Sequence, residues 1–220
     1  MAKYIVKYGR DDRVKFISHL DFVRCFHRAV RRSALNFEFS QGFNPHLLLT
    51  FAAPLSVGMA GKREIMEVPL AADVAEEDFL KKLNAALPPE LPCLSARIVD
   101  DKHPASMASL YAAKYEILID NNGAAICNAI PAFLAQESIM ALRKTKSGEK
   151  MVDIRPMIFD IEAQGDNKLC CTLALSEAAT CKPDLLMEAL CSHAGLESRP
   201  RTTITRLQMF GKDLVPLELV

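Results

Sequence analysis

The sequence predicts an α+β protein made of two tandem ferredoxin-like (βαββαβ) sandwiches, the second with an extra strand or a bent hairpin. Three observations carry this prediction. The 220 residues are enough for one large domain or two small ones of about 100 residues each. Strand-like and helix-like apolar patterns follow one another in nearly the same order twice. A polar segment at residues 100–109 separates the halves, so the predicted domains are residues 1–100 and 110–220.

The first half has the element order β-α-β-β-α-β. Strands are predicted at residues 3–8, 47–51, 64–70 and 93–99, and helices at residues 18–34 and 73–87. The first helix begins with a capping box formed by Ser18 and Asp21. The second helix is amphipathic and stops at Pro88, because proline cannot continue a helix.

The second half repeats this order with one more strand. Strands are predicted at residues 111–119, 139–145, 151–162, 169–175 and 202–209, and helices at residues 124–135 and 183–194. Pro131 lies inside the first of these helices or shortens it. Pro156 lacks an amide hydrogen, which restricts the strand at residues 151–162 to a sheet edge or a bulge.

Charge is balanced over the whole chain, with 27 basic and 27 acidic residues, but it is unevenly distributed. Residues 1–35 hold nine lysines and arginines against three aspartates, and residues 71–101 reverse this excess. The global charge therefore gives no signature of a polyanion-binding protein, whereas the local charge predicts one basic and one acidic side.

Several classes of protein are disfavoured. The N-terminus has no apolar segment and no run of residues is long enough to span a bilayer, which predicts a cytoplasmic protein without a membrane partner. The seven cysteines form no CxxC pair and are predicted to be free, buried thiols. The histidines lack metal-ligand spacing, and neither a P-loop nor a GxGxxG motif occurs. No metal or cofactor is therefore predicted.

The helix at residues 18–34 carries the densest cluster of basic side chains. Four arginines and His27 fall on one face, opposite the apolar stripe; the arginines are Arg24, Arg28, Arg31 and Arg32. Arginine binds phosphate oxygens through two parallel hydrogen bonds, so this face is a candidate phosphate-binding surface. The alternative is a solvated face whose charges favour the helix dipole.

The loop at residues 42–46 follows this helix. Gly42 permits a positive φ and Pro45 fixes φ, so the loop is predicted to be rigid. Polar side chains suited to hydrogen bonds with bases or riboses are those of Gln41, Asn44 and His46. Phe43 offers a surface on which a base can stack; alternatively, Phe43 anchors the loop in the core while Asn44 caps a turn.

Two segments of the second half add candidate RNA contacts. The segment Arg143–Arg155 predicts a basic hairpin with its tip at residues 146–148. Such a hairpin can bind nucleic acid, but a solvated hairpin is the simpler interpretation. Residues 198–206 alternate arginine with β-branched residues and predict an edge strand with one basic face. The candidate residues from these segments are Lys144, Arg155 and Arg201.

The segments SHLD (residues 18–21), SQGFNPH (residues 40–46) and DIRP (residues 153–156) together resemble the bacterial radical-SAM-linked proteins. This is a domain family of unknown function, found beside or fused to cobalamin-binding-type radical SAM proteins. Members usually have a second proline after NPH, where this chain has Leu47. The resemblance covers nearly the whole chain and implies a radical SAM protein as partner. Because no CxxxCxxC motif occurs here, it implies that the partner holds the iron–sulfur cluster.

Three functions remain open. The first is an RNA-binding accessory protein that presents structured RNA, such as tRNA or rRNA, to a radical SAM modifying enzyme. The second is a metal-independent ribonuclease that uses His19 and His46 as general acid and base; its architecture is similar to that of the RAMP proteins that process CRISPR transcripts. The third is a subunit that docks the radical SAM partner through the acidic residues Asp73 to Asp78 without touching RNA. The residues favour the binding protein over the enzyme.

Overall fold

The computed structural model describes residues 2–100, 102–145 and 148–220. Mostly antiparallel strands combine with five α-helices in this part of the chain, which confirms the α+β class. The chain divides into two compact units. One contains the residues up to Leu110 together with Gln208–Val220, and the other contains Tyr111–Leu207. The C-terminal segment, which was predicted as part of the second domain, thus belongs to the first unit.

The first unit follows the predicted element order. Its elements are β1 (Ala2–Arg10), α1 (His19–Arg32), β2 (Thr50–Phe51), β3 (Met59–Leu70), α2 (Glu76–Ala86), β4 (Cys93–Val99) and the short α3 (Ser106–Ser109). The strands lie in the order β4-β1-β3-β2, and each neighbouring pair is antiparallel. The segment predicted as a linker contains α3, where Ser106 Oγ donates to Glu67 Oε1 at 2.7 Å.

The core of the first unit lies between this sheet and the two longer helices. Tyr4, Val6 and Tyr8 alternate along β1 and are buried, as the period of two of a strand requires. Tyr4 stacks on Phe79 of α2 with ring centroids 4.6 Å apart. From α1, Phe22 and Phe26 enter the same cluster. These contacts fix which face of α1 is left for solvent.

The position of α1 is also set by the connection before it. Arg10 is buried, and its Nη2 donates to the carbonyl oxygens of Lys15 at 2.8 Å and Ile17 at 2.6 Å. Ser18 then caps the helix, because its Oγ accepts from the amide of Asp21 at 3.2 Å and donates to Oδ2 of the same residue at 2.8 Å. The predicted N-cap at Ser18 is therefore confirmed, but Asp21 bonds the Ser18 hydroxyl and not the Ser18 amide that a capping box uses.

The strand predicted at residues 47–51 is shorter in the structure, where β2 contains only Thr50 and Phe51. The preceding residues pair within their own loop instead. Leu47 forms an isolated bridge with Phe39, and the amide of Leu48 donates to the carbonyl of Glu38 at 3.1 Å. This local pairing closes the loop at residues 39–47 beside α1.

The second unit begins with β5 (Ala112–Ile119) and α4 (Gly123–Leu134). It continues with β6 (Met140–Thr145), β7 (Gly148–Asp153), β8 (Ile158–Ala163), β9 (Lys168–Ala174), α5 (Pro183–His193) and β10 (Thr202–Phe210), whose residues up to Leu207 belong to this unit. The strand order is β10-β5-β9-β8, and β6 and β7 form a separate hairpin. Two residues of the predicted hairpin tip, Lys146 and Ser147, lie outside the described residues, and the third, Gly148, begins β7.

The single strand predicted at residues 151–162 was wrong. The structure divides it into the end of β7 and the start of β8, with a 3-10 turn at Arg155–Met157 between them. Pro156 supplies the reason, because it fixes φ and has no amide hydrogen for a strand ladder. Asp153 stabilises the turn, since its Oδ1 accepts from the amides of Ile139 at 2.9 Å and Arg155 at 3.0 Å.

Six of the seven cysteine thiols are buried and all seven are free, as the sequence predicted. Burial raises the pKa of Cys93 to about 12 and that of Cys181 to about 11, so both stay protonated at neutral pH. In the described part of the chain, no helix combines the length and the apolar character needed to cross a membrane.

Candidate nucleic-acid interface

The predicted basic face of α1 is present and open to solvent. The helix buries Phe22, Phe26, Ala29 and Val30 against the core. The exposed side chains on its other faces include all four predicted arginines: Arg24, Arg28, Arg31 and Arg32. The structure distributes these arginines between two different concave surfaces on either side of the helix.

The first surface is a groove between α1 and the end of α2, which we call the arginine groove. Its volume is about 560 Å³, and it is lined by Asp21, Arg24, Cys25, Arg28, Arg32, Ala86, Leu87 and Pro88. Arg32 Nη2 donates to the carbonyl of Ala86 at 2.7 Å, which satisfies a terminal carbonyl of α2. Arg24 pairs with Asp21 at 3.0 Å.

Arg28 is the most available member of the arginine groove. Within the described residues, neither Arg28 nor Arg31 makes a hydrogen bond or an ion pair to another side chain or to the backbone. A guanidinium without a protein partner is free to bind phosphate oxygens through its fork of donors. Arg28 and Arg31 are three positions apart on α1, yet they serve different concave surfaces.

The second surface is a small cavity between α1 and the following loop, which we call the histidine cavity. Its volume is about 110 Å³, and it is lined by His27, Val30, Arg31, Phe39, Pro45, His46 and Leu47. Three of these residues, His27, Arg31 and His46, carry basic side chains, and none of the seven is acidic. The helix and the loop therefore border one cavity.

Contacts between Ser40 and His46 close the base of this loop. Ser40 donates its amide to the carbonyl of His46 at 2.8 Å, and Ser40 Oγ accepts from the amide of His46 at 3.0 Å. Ser40 Oγ also lies 2.7 Å from His46 Nδ1. This contact occupies Nδ1, so Nε2 is the imidazole nitrogen that remains for a ligand. Gly42 has φ +125°, a backbone conformation that residues with a Cβ atom rarely adopt.

The tip of this loop displays the predicted side chains to solvent. Gln41 and Asn44 are exposed, and Phe43 is fully exposed, with a relative accessibility of 106%. The alternative in which Phe43 anchors the loop in the core was therefore wrong. An exposed aromatic ring on a closed loop is available for stacking against a base.

The electrostatics of the histidine cavity favour an anion. Partial burial lowers the pKa of His27, and the positive charges of Arg31 and His46 lower it further. Arg31 and His46 are therefore close enough to His27 to disfavour its protonation, and no carboxylate in the lining offsets them. A bound anion would relieve this repulsion.

His19, the predicted partner of His46 in RNA cleavage, occupies a different place. Its ring is half-buried and packs edge-on against Phe51, with centroids 5.8 Å apart. It does not line the histidine cavity, and no hydrogen bond or ring contact joins His19 and His46 among the described residues. The imidazole that shares the cavity with His46 is that of His27.

The second unit contributes two exposed candidates. Lys144 pairs with Glu149 at 3.5 Å and lines a cavity of about 320 Å³ beside α5. This cavity also contains Asp184 and Glu188, so its charge is mixed. Arg201 is exposed just before β10. The basic face predicted for that strand is interrupted, because Arg206 is only 3% exposed.

Arg155 has a structural role that the sequence did not indicate. It is half-buried; its Nε donates to the carbonyl of Leu134, the last residue of α4, at 3.1 Å, and its Nη1 donates to the carbonyl of Ile158 at 3.4 Å. The guanidinium thus joins the end of α4 to the start of β8. We leave Arg155 out of the RNA-binding site that is proposed below.

Replacing Arg155 by methionine is expected to lower the free energy of unfolding by about 1.5–3 kcal/mol, because charge-assisted hydrogen bonds to two carbonyls are lost. RNA affinity measured under folding conditions should stay within twofold of the wild type. Urea denaturation and RNA titration check the two parts. A loss of affinity with unchanged stability would return Arg155 to the interface.

Sequence reasoning placed His27 on the basic face but did not assign it to the site. The sequence spacing could have indicated this role, because His27 and Arg31 are four residues apart and therefore adjacent on a helix. The partner across the cavity, His46, comes from a loop whose path depends on the Phe39–Leu47 bridge. No group of three or more metal-binding side chains is found in the described residues.

Comparison with known proteins identifies a family without an assigned activity. The profile that matches residues 3–183 is described as an uncharacterized protein conserved in bacteria (DUF2344). It extends from the second residue of β1 to beyond the end of β9 and so includes α1, the loop at residues 39–47 and the hairpin. No curated protein matches the chain.

Proposed function

The chain belongs to this family of conserved bacterial proteins, DUF2344, and we propose that it is a cytoplasmic RNA-binding accessory protein that acts with a radical SAM enzyme in tRNA or rRNA modification. One observation carries the RNA-binding part. The exposed arginines of α1 border two concave surfaces, and one of these also receives His46 from a closed loop with Phe43 at its tip.

The arrangement combines the two elements that binding to single-stranded or looped RNA needs. Arg28 and Arg31 supply positive charge without a competing protein partner, and phosphate contacts account for most of the affinity. Phe43 supplies a ring for stacking, and Gln41 and Asn44 supply amides for base edges. On a protein with balanced total charge, such a local cluster directs the RNA to one surface.

Binding to bulk cellular RNA, measured at several salt concentrations, tests this proposal. Each phosphate contact releases bound counterions, so the affinity should fall steeply as salt rises. Heat-denatured and folded tRNA of the same composition, compared as titrants, show whether looped or single-stranded regions are preferred. Undetectable binding, or binding with no salt dependence, would reject an RNA-binding function.

The proposed fold of each unit is a ferredoxin-like sandwich. In its support, the first unit has the element order β1-α1-β2-β3-α2-β4. The second has the corresponding order β5-α4-β8-β9-α5-β10 once the hairpin of β6 and β7 is set aside as an insertion. The strand order is also equivalent, β4-β1-β3-β2 in one unit and β10-β5-β9-β8 in the other.

For docking of the radical SAM partner, we propose the start of α2. Glu77 and Asp78 are exposed in its first turn. The neighbouring Glu76 is used within the protein, since its Oε1 accepts from the amide of Ile98 at 2.9 Å. The radical chemistry and its cluster belong to the partner in this proposal, because the present sequence has no CxxxCxxC motif.

Reversing the charge of Glu77 and Asp78 to lysine is expected to abolish co-purification with the radical SAM partner in the presence of ribonuclease. Glu76 is left intact to preserve its hydrogen bond. The matched control reverses Glu137 and Glu177, which are exposed in the second unit. Equal retention of the partner by both variants would exclude this docking surface.

A further inference from the structure

We propose that the histidine cavity is a binding site for a single phosphate group, held by His27, Arg31 and His46. This inference deepens the proposed RNA-binding function and rests on it for the source of the phosphate. It assigns a ligand class to one defined cavity, whereas the proposed function requires only that RNA lies along the basic surface.

The size of the cavity selects the ligand. At about 110 Å³ it is well below the roughly 300–1,000 Å³ of pockets that enclose a drug-sized molecule, so it admits one small group and excludes a complete nucleotide. Val30, Pro45 and Leu47 form apolar walls. The side-chain hydrogen-bond donors of the cavity are therefore those of His27, Arg31 and His46, and these basic groups favour a negatively charged ligand.

The donors converge from two elements that are each fixed in place. His27 and Arg31 stand one turn apart on α1, which Phe22 and Phe26 anchor in the core. On the loop, the contact of Ser40 Oγ with Nδ1 orients the ring of His46 and leaves Nε2 for the ligand. A guanidinium fork with two imidazoles matches the several acceptor oxygens of a phosphate.

The charge in the cavity is not compensated by the protein. Every titratable side chain that lines it is basic: His27 and Arg31 from α1 and His46 from the loop. Burial, Arg31 and His46 lower the pKa of His27, which disfavours its protonated form in the free protein. Phosphate favours the protonated imidazole, so its binding should raise this pKa.

The test is a pH titration of the imidazole nitrogens of the folded protein by NMR, in inorganic phosphate and in chloride of equal ionic strength. Phosphate is expected to raise the pKa of His27 by about one unit, the lower end of the effect of a nearby opposite charge. Arg31→Gln should abolish this rise. The matched control Arg28→Gln should keep it, because Arg28 lies on the same helix and does not line the cavity.

Equal pKa values of His27 and His46 in phosphate and chloride would overturn the inference. Two results separate it from the proposed function. A phosphate-dependent rise of the His27 pKa together with undetectable RNA binding would support the phosphate site and contradict the RNA-binding function. Salt-dependent RNA binding that leaves the titrations of His27 and His46 unchanged would support the RNA-binding function and contradict the phosphate site.

Oligonucleotides of one sequence then distinguish the sources of the phosphate. Tighter binding of the 5′-phosphorylated or the 3′-phosphorylated form than of the hydroxyl-terminated form, lost in Arg31→Gln, identifies a terminal phosphate. Equal binding of all forms, with the His27 pKa raised by each, identifies an internal phosphodiester. If no oligonucleotide raises the His27 pKa, the proposed link between the cavity and RNA is wrong.

Discussion

Replacing Arg28 and Arg31 together by glutamate is expected to weaken RNA binding by roughly 100-fold or more, because two charge-assisted contacts of about 1.5–3 kcal/mol each are lost. The dependence of log affinity on log salt should decrease by about two units, one for each phosphate contact. The two arginines serve different concave surfaces of α1, so each single substitution should give part of the loss.

The control for this experiment is the double reversal of Lys62 and Lys212. Both are exposed in the first unit, and neither lines the arginine groove or the histidine cavity. It changes the total charge by the same amount, so its RNA affinity should remain close to that of the wild type. An equal loss in both variants would mean that net charge, and not the α1 surface, governs binding.

Stability must be measured beside affinity. Exposed substitutions usually change the free energy of unfolding by less than about 0.5 kcal/mol, but negative charges near the end of a helix cost about 0.3–1 kcal/mol each. Arg28→Gln with Arg31→Gln avoids the second effect and should still reduce affinity and salt slope. A folded double mutant with unchanged RNA affinity would show that the basic face is a solvated surface without a role in RNA binding.

The second large effect is expected from Phe43→Ala. Loss of one base–aromatic stacking contact, worth about 1–3 kcal/mol, corresponds to a decrease in RNA affinity of roughly 5- to 150-fold. The salt slope should not change, because no phosphate contact is removed. The ring is fully exposed and makes no packing contribution, so the thermal midpoint should also stay the same.

Phe16→Ala is the matched control for Phe43, since this ring is 72% exposed in the same unit and lies outside the loop. Phe43→Tyr should retain most of the affinity by preserving an aromatic face. If Phe16→Ala and Phe43→Ala lower affinity equally, exposed apolar surface in general is responsible. Unchanged affinity in Phe43→Ala would exclude stacking at the loop tip.

The sequence predicted the features that depend on local periodicity. The N-cap at Ser18, the apolar stripe of α1 and the bounds of β4 were all correct, because each depends on a few neighbouring residues. The fully exposed Phe43 was one of two open alternatives. A glycine and a proline fix the shape of a loop, but they do not determine whether its aromatic residue points inward.

Features that depend on tertiary contacts were missed or misplaced. Arg155 looked like a basic hairpin residue, and only the position of the α4 terminus shows that its guanidinium is bound to Leu134. Likewise, β2 is short because Leu47 pairs with Phe39. The same pairing carries His46 to His27, which is why the site contains this histidine and not His19.

Ultraviolet cross-linking of the protein to RNA, followed by mass spectrometry of tryptic peptides, locates the RNA on the surface most directly. We expect the nucleotide on the peptide of residues 33–62, which contains Phe43 and His46, and on the peptides of α1. Both sets of cross-links should disappear in the Arg28 and Arg31 double mutant. Cross-links confined to the second unit, for example within residues 143–155, would contradict an interface on α1 and its loop.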